Sequence, residues 1–205
     1  MNVIETTGLC KAYGAHFAVD HVELAVPEGS VYGFIGPNGA GKSTTMKLIL
    51  GLAHPSAGQV QVLGQTMTPQ NRLAILRQTG SLIESPSCYG HLTGQENLEV
   101  VADLKGVPRR DIGRVLDIVR LTKDRGRKVG QYSLGMKQRL GIAQALLGSP
   151  RVLVLDEPTN GLDPQGIVEI RELILQLNRE RQITVLISSH ILDELAKLAT
   201  HYGFL

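Results

Sequence analysis

A glycine-rich stretch closed by a lysine constrains this chain more than any other segment. Residues Gly36-Pro37-Asn38-Gly39-Ala40-Gly41-Lys42-Ser43-Thr44 have the spacing G-x-x-x-x-G-K-[ST]. The apolar run Val31 to Ile35 precedes them, and the helix-like segment Thr45 to Leu50 follows. Glycines at 36, 39 and 41 let the backbone curl so that several N–H groups point inward. The start of the following helix adds a field that favours negative charge. Strand, curled turn and helix in that order make an anion cradle, and Lys42 suits it to phosphate. A plain Gly-rich turn is the alternative. The spacing alone arises by accident in roughly one chain of this length in a hundred, before the strand and helix are required. A nucleotide site is therefore the stronger reading. Lys42 would supply a mobile cation for the β- and γ-phosphates, and the Ser43 hydroxyl is placed to ligate Mg²⁺.

The rest of the chain supplies a frame for such a loop. Short β-rich runs fill the first third: Val3 to Leu9, Ala18 to Val26, Val31 to Ile35 and Gln59 to Leu63. Turn signals at Pro27-Glu28-Gly29, Pro55 to Gly58 and Gly64 separate them. Helical spacing follows over Glu96 to Lys105, Asp111 to Arg120 and Met136 to Leu147, with breaks at Gly106-Val107-Pro108 and Gly148-Ser149-Pro150. Val152 to Leu155 and Thr184 to Ile187 are apolar without alternation, as central strands of a parallel sheet covered on both faces are. Pro164 to Arg179 reads as the crossover helix between them. These elements predict an α/β fold of the P-loop type, with a mostly parallel central sheet and an N-terminal antiparallel β-subdomain. Residues 1–84 and 151–205 would form the nucleotide-binding core, and 85–150 an inserted helical subdomain, within one domain spanning 1–205. The chain stops directly after a strand-like run, His201 to Leu205, and truncation at the C-terminus is expected.

Bulk properties narrow the partners. Basic and acidic residues number 21 and 19, so no polybasic surface advertises nucleic acid or anionic lipid. Cys10 and Cys88 lack metal-ligand spacing and read as free thiols in a reducing cytosol. Met1 to Lys11 has no basic stretch followed by an apolar core, so no signal peptide is expected. No run approaches the roughly 18 apolar residues of a membrane-spanning helix. The chain is expected to be soluble, any membrane part coming from another polypeptide.

Val152-Leu153-Val154-Leu155-Asp156-Glu157-Pro158 ends a buried strand in adjacent acids. A strand-end aspartate alone could merely cap a turn. Beside a phosphate loop the acids gain a task, because MgATP chemistry needs carboxylates opposite the lysine. Asp156 would hold Mg²⁺, and Glu157 would orient and deprotonate the attacking water. Pro158 ends the strand because it cannot donate to a ladder.

Taken together, these segments resemble the ATPases of ABC transporters along almost the whole chain. The loop and the acidic strand are similar to that family's Walker A and Walker B segments. Asn160-Gly161-Leu162-Asp163-Pro164 resembles the D-loop, and Ser188-Ser189-His190 the switch-histidine segment. Tyr132 to Arg139 resembles the signature motif, and Tyr13 falls where the family stacks an aromatic ring on adenine. The resemblance implies that His190 donates to the γ-phosphate, and that Ser133 and Gly135 reach ATP held by a second subunit. Seen alone, Ser133 reads as the N-cap of a helix beginning near Met136, His190 as a solvated strand-end histidine, and Tyr13 as a half-buried tyrosine. His16, His21, His54, His91 and His201 carry no motif and are expected at the surface.

Two segments depart from the common pattern. The usual signature begins Leu-Ser-Gly-Gly-Gln; here Leu134 replaces the first glycine and Met136 the glutamine. Glu84, in Gly80-Ser81-Leu82-Ile83-Glu84-Ser85-Pro86, stands where the family usually has a glutamine touching Mg²⁺ or the attacking water. A charged ligand there would bind Mg²⁺ more strongly; a surface-loop glutamate is the alternative. Both segments resemble the ATPases of bacitracin-resistance and lantibiotic self-protection exporters. The resemblance then implies ATP and Mg²⁺ as ligands, an ATPase dimer expected to be of two copies, integral membrane permease subunits as partners, and no nucleic acid. It also implies a cytoplasmic location, peripheral at the inner face of the membrane. Rival readings are an ABC-type ATPase acting on another macromolecule, a non-hydrolysing nucleotide-dependent regulator, and an inactive fragment.

Overall fold

A computed structural model describes residues 1–205 as two sheets with helices around them. Strands β1 (Asn2–Tyr13), β2 (His16–Pro27), β4 (Ala57–Val62) and β5 (Gln65–Thr66) form an antiparallel sheet in the order β2-β1-β4-β5. Strands β3 (Val31–Ile35), β6 (Thr79–Leu82), β7 (Val152–Asp156), β8 (Thr184–Ser189) and β9 (His201–Phe204) form a parallel sheet in the order β6-β7-β8-β3-β9. Both the α/β class and the N-terminal antiparallel sheet expected from the sequence are present.

Every residue of β3, β7 and β8 is buried, which explains their unbroken apolar runs. Alternate residues of these strands serve opposite faces. Ile35, Leu153, Leu155 and Ile187 join a core with α3 (Gly94–Lys105), α4 (Asp111–Ile118), α5 (Leu134–Leu146) and α6 (Pro164–Arg181). Phe34, Val152, Val154 and Leu186 join a second core with α1 (Lys42–Ile49) and the antiparallel sheet. Burying both faces removes the polar alternation that a half-exposed strand would need.

Helix ends follow local chemistry. Helix α3 starts at Gly94, two residues before the expected Glu96, because Thr93 and Glu96 form a reciprocal capping box. Helix α5 starts at Leu134 rather than near Met136, with Ser133 as its N-cap. Helix α6 has Pro164 in its first turn and Asp163 as N-cap.

Four strands and α-helices lie outside the sequence expectations: β5, β6, α2 (Arg72–Leu76) and α7 (Leu192–Ala196). Strand β6 includes Gly80, where a Cβ would lie 2.3 Å from the Ala145 carbonyl oxygen, so glycine permits α5 to press on this strand. The C-terminal half of α5 thus covers the parallel sheet, although α5 falls in the expected helical insert. No helix is long and apolar enough to cross a membrane.

Candidate active site

Strand register brings the chemical segments to one edge. Ile35 of β3 lies opposite Ser189 of β8, and Asp156 of β7 lies opposite Ser188. Gly36, Glu157 and His190 therefore leave the parallel sheet side by side, at its carboxyl end, where ligands of such sheets bind. There the chain forms a cleft of about 470 Å³ whose lining includes Lys42, Ser43, Glu84, Asp156 and Glu157. A larger cavity, about 550 Å³, lies at the amino ends of β7 and β8 and holds none of these residues. Its Arg151 and Arg114 are already paired with Glu28 and Asp111.

The Gly36–Thr44 loop is shaped by its neighbours. Gly41 has a φ of 100°, and a Cβ there would sit 2.2 Å from the Ala18 carbonyl oxygen of β2. Only glycine allows that approach. Helix α1 begins at the next residue, with no side chain capping it and no acid in its first turn. The N–H groups of Lys42, Ser43 and Thr44 consequently have no intrahelical acceptor. Uncapped donors at a helix start fit a phosphate.

Lys42 turns back across the loop. Its Nζ donates to the carbonyls of Gly36 at 2.8 Å and Pro37 at 3.1 Å, and stands 3.3 Å from Glu157 Oε1. With its side chain only 5% exposed, the ammonium is satisfied by these acceptors rather than by water.

Glu157 follows the last residue of β7 in a left-handed conformation, φ 46°. A non-glycine residue held there costs about 1–3 kcal/mol. The kink swings its carboxylate from the sheet axis toward the loop. Oε1 meets Lys42, and Oε2 lies 3.1 Å from His190 Nδ1. Asp156 is buried, and its Oδ1 accepts from Ser188 Oγ at 2.6 Å. Its other oxygen takes no protein donor, so a hard cation at the cleft fits this carboxylate together with Ser43.

Ser188 is the residue that sequence reasoning passed over. It donates to Asp156 and accepts from the Glu157 N–H at 2.9 Å, fixing both acids at once. The signal was its place beside His190, but the role follows from cross-strand register.

The remaining candidates are more scattered. Glu84 lines the cleft with a φ of 63°, its side chain 65% exposed and bonded to Lys47 Nζ at 2.5 Å. That hydrogen bond holds Glu84 below the usual glutamate range and raises Lys47 above the usual lysine range. Ser133 accepts from the Met136 N–H at 3.2 Å, as an N-cap does. Neither Ser133 nor Gly135 lines the cleft, although their neighbour Leu134 does. Asp163 accepts from the Gly166 N–H. Tyr13 is 57% exposed at the end of β1, with Lys11 Nζ 5.0 Å from its ring centre, and stays outside the cleft. His16, His21, His54, His91 and His201 are all exposed.

Residues 19–160 match the family described as "ABC transporter". This chain belongs to the ABC transporter family. The bacitracin transport ATP-binding protein BcrA of Bacillus licheniformis is 50% identical over 204 residues, covering 99% of this chain and 66% of the relative. The lantibiotic transport ATP-binding protein SrtF of Streptococcus pyogenes is 44% identical, covering 99% of this chain and 86% of that protein. Among solved structures, a nucleotide-free ATP-binding cassette from an ABC transporter superposes with a TM-score of 0.90 at 25% identity, covering 100% of this chain and 88% of that one. A dimeric bacterial ABC transporter cassette gives 0.87 at 27% identity, covering 98% and 94%. The chain spans just under two thirds of the length of the bacitracin-transport relatives.

Proposed function

We propose that this chain binds and hydrolyses ATP for an exporter of peptide antibiotics or similar amphipathic compounds, working through separate membrane subunits. One observation carries the catalytic part: the Lys42 ammonium and the Glu157 carboxylate meet at 3.3 Å in the cleft where β3 and β7 end. The names of the bacitracin and lantibiotic transport relatives support the class of cargo. The dimeric cassette supports a working pair of subunits. Neither a macromolecule-directed ATPase nor a non-hydrolysing regulator draws comparable support.

The cleft geometry supports roles for Lys42, Asp156, Glu157 and His190, and the family resemblance supports the others. The amides of the Gly36–Thr44 loop and the Lys42 ammonium hold the β- and γ-phosphates of the substrate. Phosphate oxygens compete with Glu157 for the same ammonium, so substrate binding releases Oε1 to face water. Glu157 then takes a proton from that water as its oxygen attacks the γ-phosphorus. The bond from the γ-phosphorus to the bridging oxygen breaks, and ADP and phosphate leave. His190 steadies Glu157 through Nδ1, which leaves Nε2 for a phosphate oxygen. Ser43 and Asp156 would hold Mg²⁺, with Glu84 at the rim of the same cleft; the ion would neutralise charge on the phosphate oxygens. Ser133 and Gly135 would meet the substrate bound to the second copy, with Asp163 nearby at the D-loop and Tyr13 against the adenine. Residues 85–150 would carry the motion to permease subunits, the chain being peripheral at the cytoplasmic face of the membrane.

Glu157→Gln tests the assignment. The variant is expected to keep ATP affinity, lose about 100- to 10,000-fold in turnover, and run as an ATP-dependent dimer on size exclusion. Turnover equal to the unaltered protein would remove Glu157 from the chemistry.

A further inference from the structure

Helix α1 carries two lysines toward one cleft, and only Lys42 has a part in the chemistry above. Lys47 and Ser43 are four residues apart on α1, so they share a face of the helix. Ser43 lines the cleft, and one turn later Lys47 Nζ reaches Glu84 Oε1 at 2.5 Å. Glu84 sits just beyond β6 in the left-handed region, where a non-glycine residue is strained, so the loop directs this side chain at a backbone cost.

Charge balance gives the contact its meaning. Glu84, Asp156 and Glu157 all line the cleft, and of the three only Glu157 is paired with Lys42. Lys47, paired with Glu84, reduces this excess of negative charge without cancelling it. A neutral glutamine in place of Glu84 would need no such counter-charge.

Resting on the ATPase reading above, we infer that Lys47 is a positioning residue, which restrains the Glu84 carboxylate against α1 and thereby limits how far it serves a divalent cation in the cleft. The ion pair also ties the segment after β6 to the helix that bears the phosphate loop. Motion of either is then felt by the other through one contact.

A double-mutant cycle tests this with Lys47→Met, Glu84→Gln and both changes, reading the Mg²⁺ concentration for half-maximal binding of a fluorescent ATP analogue. Lys47→Met is expected to lower that concentration about two- to fivefold, the reach of a partly exposed ion pair. The double variant should match Glu84→Gln, because Lys47 acts only through Glu84. Lys47→Arg should restore the original value, and amide exchange over residues 83–92 should rise in Lys47→Met alone of the two lysine variants. Additive effects in the cycle, or a Lys47→Met protein indistinguishable from the unaltered one, would overturn the inference. Loss of analogue binding on Lys42→Ala checks the underlying reading separately. If that loss occurs while the cycle is additive, the ATPase reading stands and the role of Lys47 does not.

Discussion

Two helix starts in this molecule carry residues suited to phosphate, and they are built in opposite ways. Helix α1 begins on Gly41 with no capping side chain, so its first amides stay open toward Lys42, Asp156 and Glu157 of the same chain. Helix α5 begins on Ser133, whose oxygen already accepts from the Met136 N–H. A serine hydroxyl used as an acceptor still has its own proton to donate. Capping and phosphate contact are therefore compatible at Ser133, which does not line the cleft of its own chain. The first start faces the cleft of its own chain. The second leaves its hydroxyl and glycine outside that cleft, with only the 49%-exposed Leu134 reaching its lining.

The largest test of this contrast falls on the α1 side. Lys42→Ala would leave the Gly36 and Pro37 carbonyls and a Glu157 oxygen without their shared donor. ATP affinity is expected to fall at least about tenfold, and turnover at least about 100-fold, measured by equilibrium binding and steady-state phosphate release. Activity within twofold of the unaltered protein would detach the loop lysine from the reaction.

On the α5 side the informative change is Gly135→Ala. The nearest atom to an added Cβ is Leu162 Cδ2 at 4.0 Å, so the side chain has room within the chain. Stability to urea should stay within about 0.5 kcal/mol, and ATP affinity of the isolated subunit should not move. ATP-dependent dimerisation should weaken at least about tenfold, because the added methyl keeps a second copy's phosphate from the backbone. Equal dimerisation in both proteins would place this helix start away from any shared nucleotide.

The contrast also marks what could be read in the sequence. Strand β3, the loop and α1 are contiguous, so apolar run, glycine spacing and lysine announce one another without tertiary information. The run Val152 to Leu155 similarly leads straight to Asp156 and Glu157. Strand β6 was hidden because Thr79-Gly80-Ser81-Leu82 has little strand character of its own; pairing with β7 makes it one. The start of α3 was legible in Thr93-Gly94-Gln95-Glu96, a capping box that the helical spacing alone overlooks. Ser188 and Lys47 were illegible for a different reason. Each looks like an ordinary polar residue of its element, and only register or helix phase shows which acid it meets.

The smallest expected effect lies at the other end of α5 and separates stability from chemistry. Asp111 accepts from Arg114 and from the Gly148 N–H at 3.1 Å, while Arg114 donates to the Leu146 carbonyl at 3.1 Å, joining α4 to the end of α5. The Arg114 hydrogen bonds, chiefly, hold the Asp111 carboxyl below the usual aspartate range. A carboxyl lowered on folding contributes its stability in full above the unfolded-chain value, near 3.8, and loses it as pH falls from there through the folded value. Asp111→Asn should therefore cost about 1 kcal/mol at pH 7, and the gap to the unaltered protein should close progressively below pH of about 4. Urea unfolding at several pH values measures both. ATP turnover at pH 7 should be unchanged, because Asp111 lies at the amino ends of β7 and β8 rather than near the cleft. A gap that persists undiminished at low pH would mean that the asparagine disturbs packing, and that the charge on Asp111 contributes little.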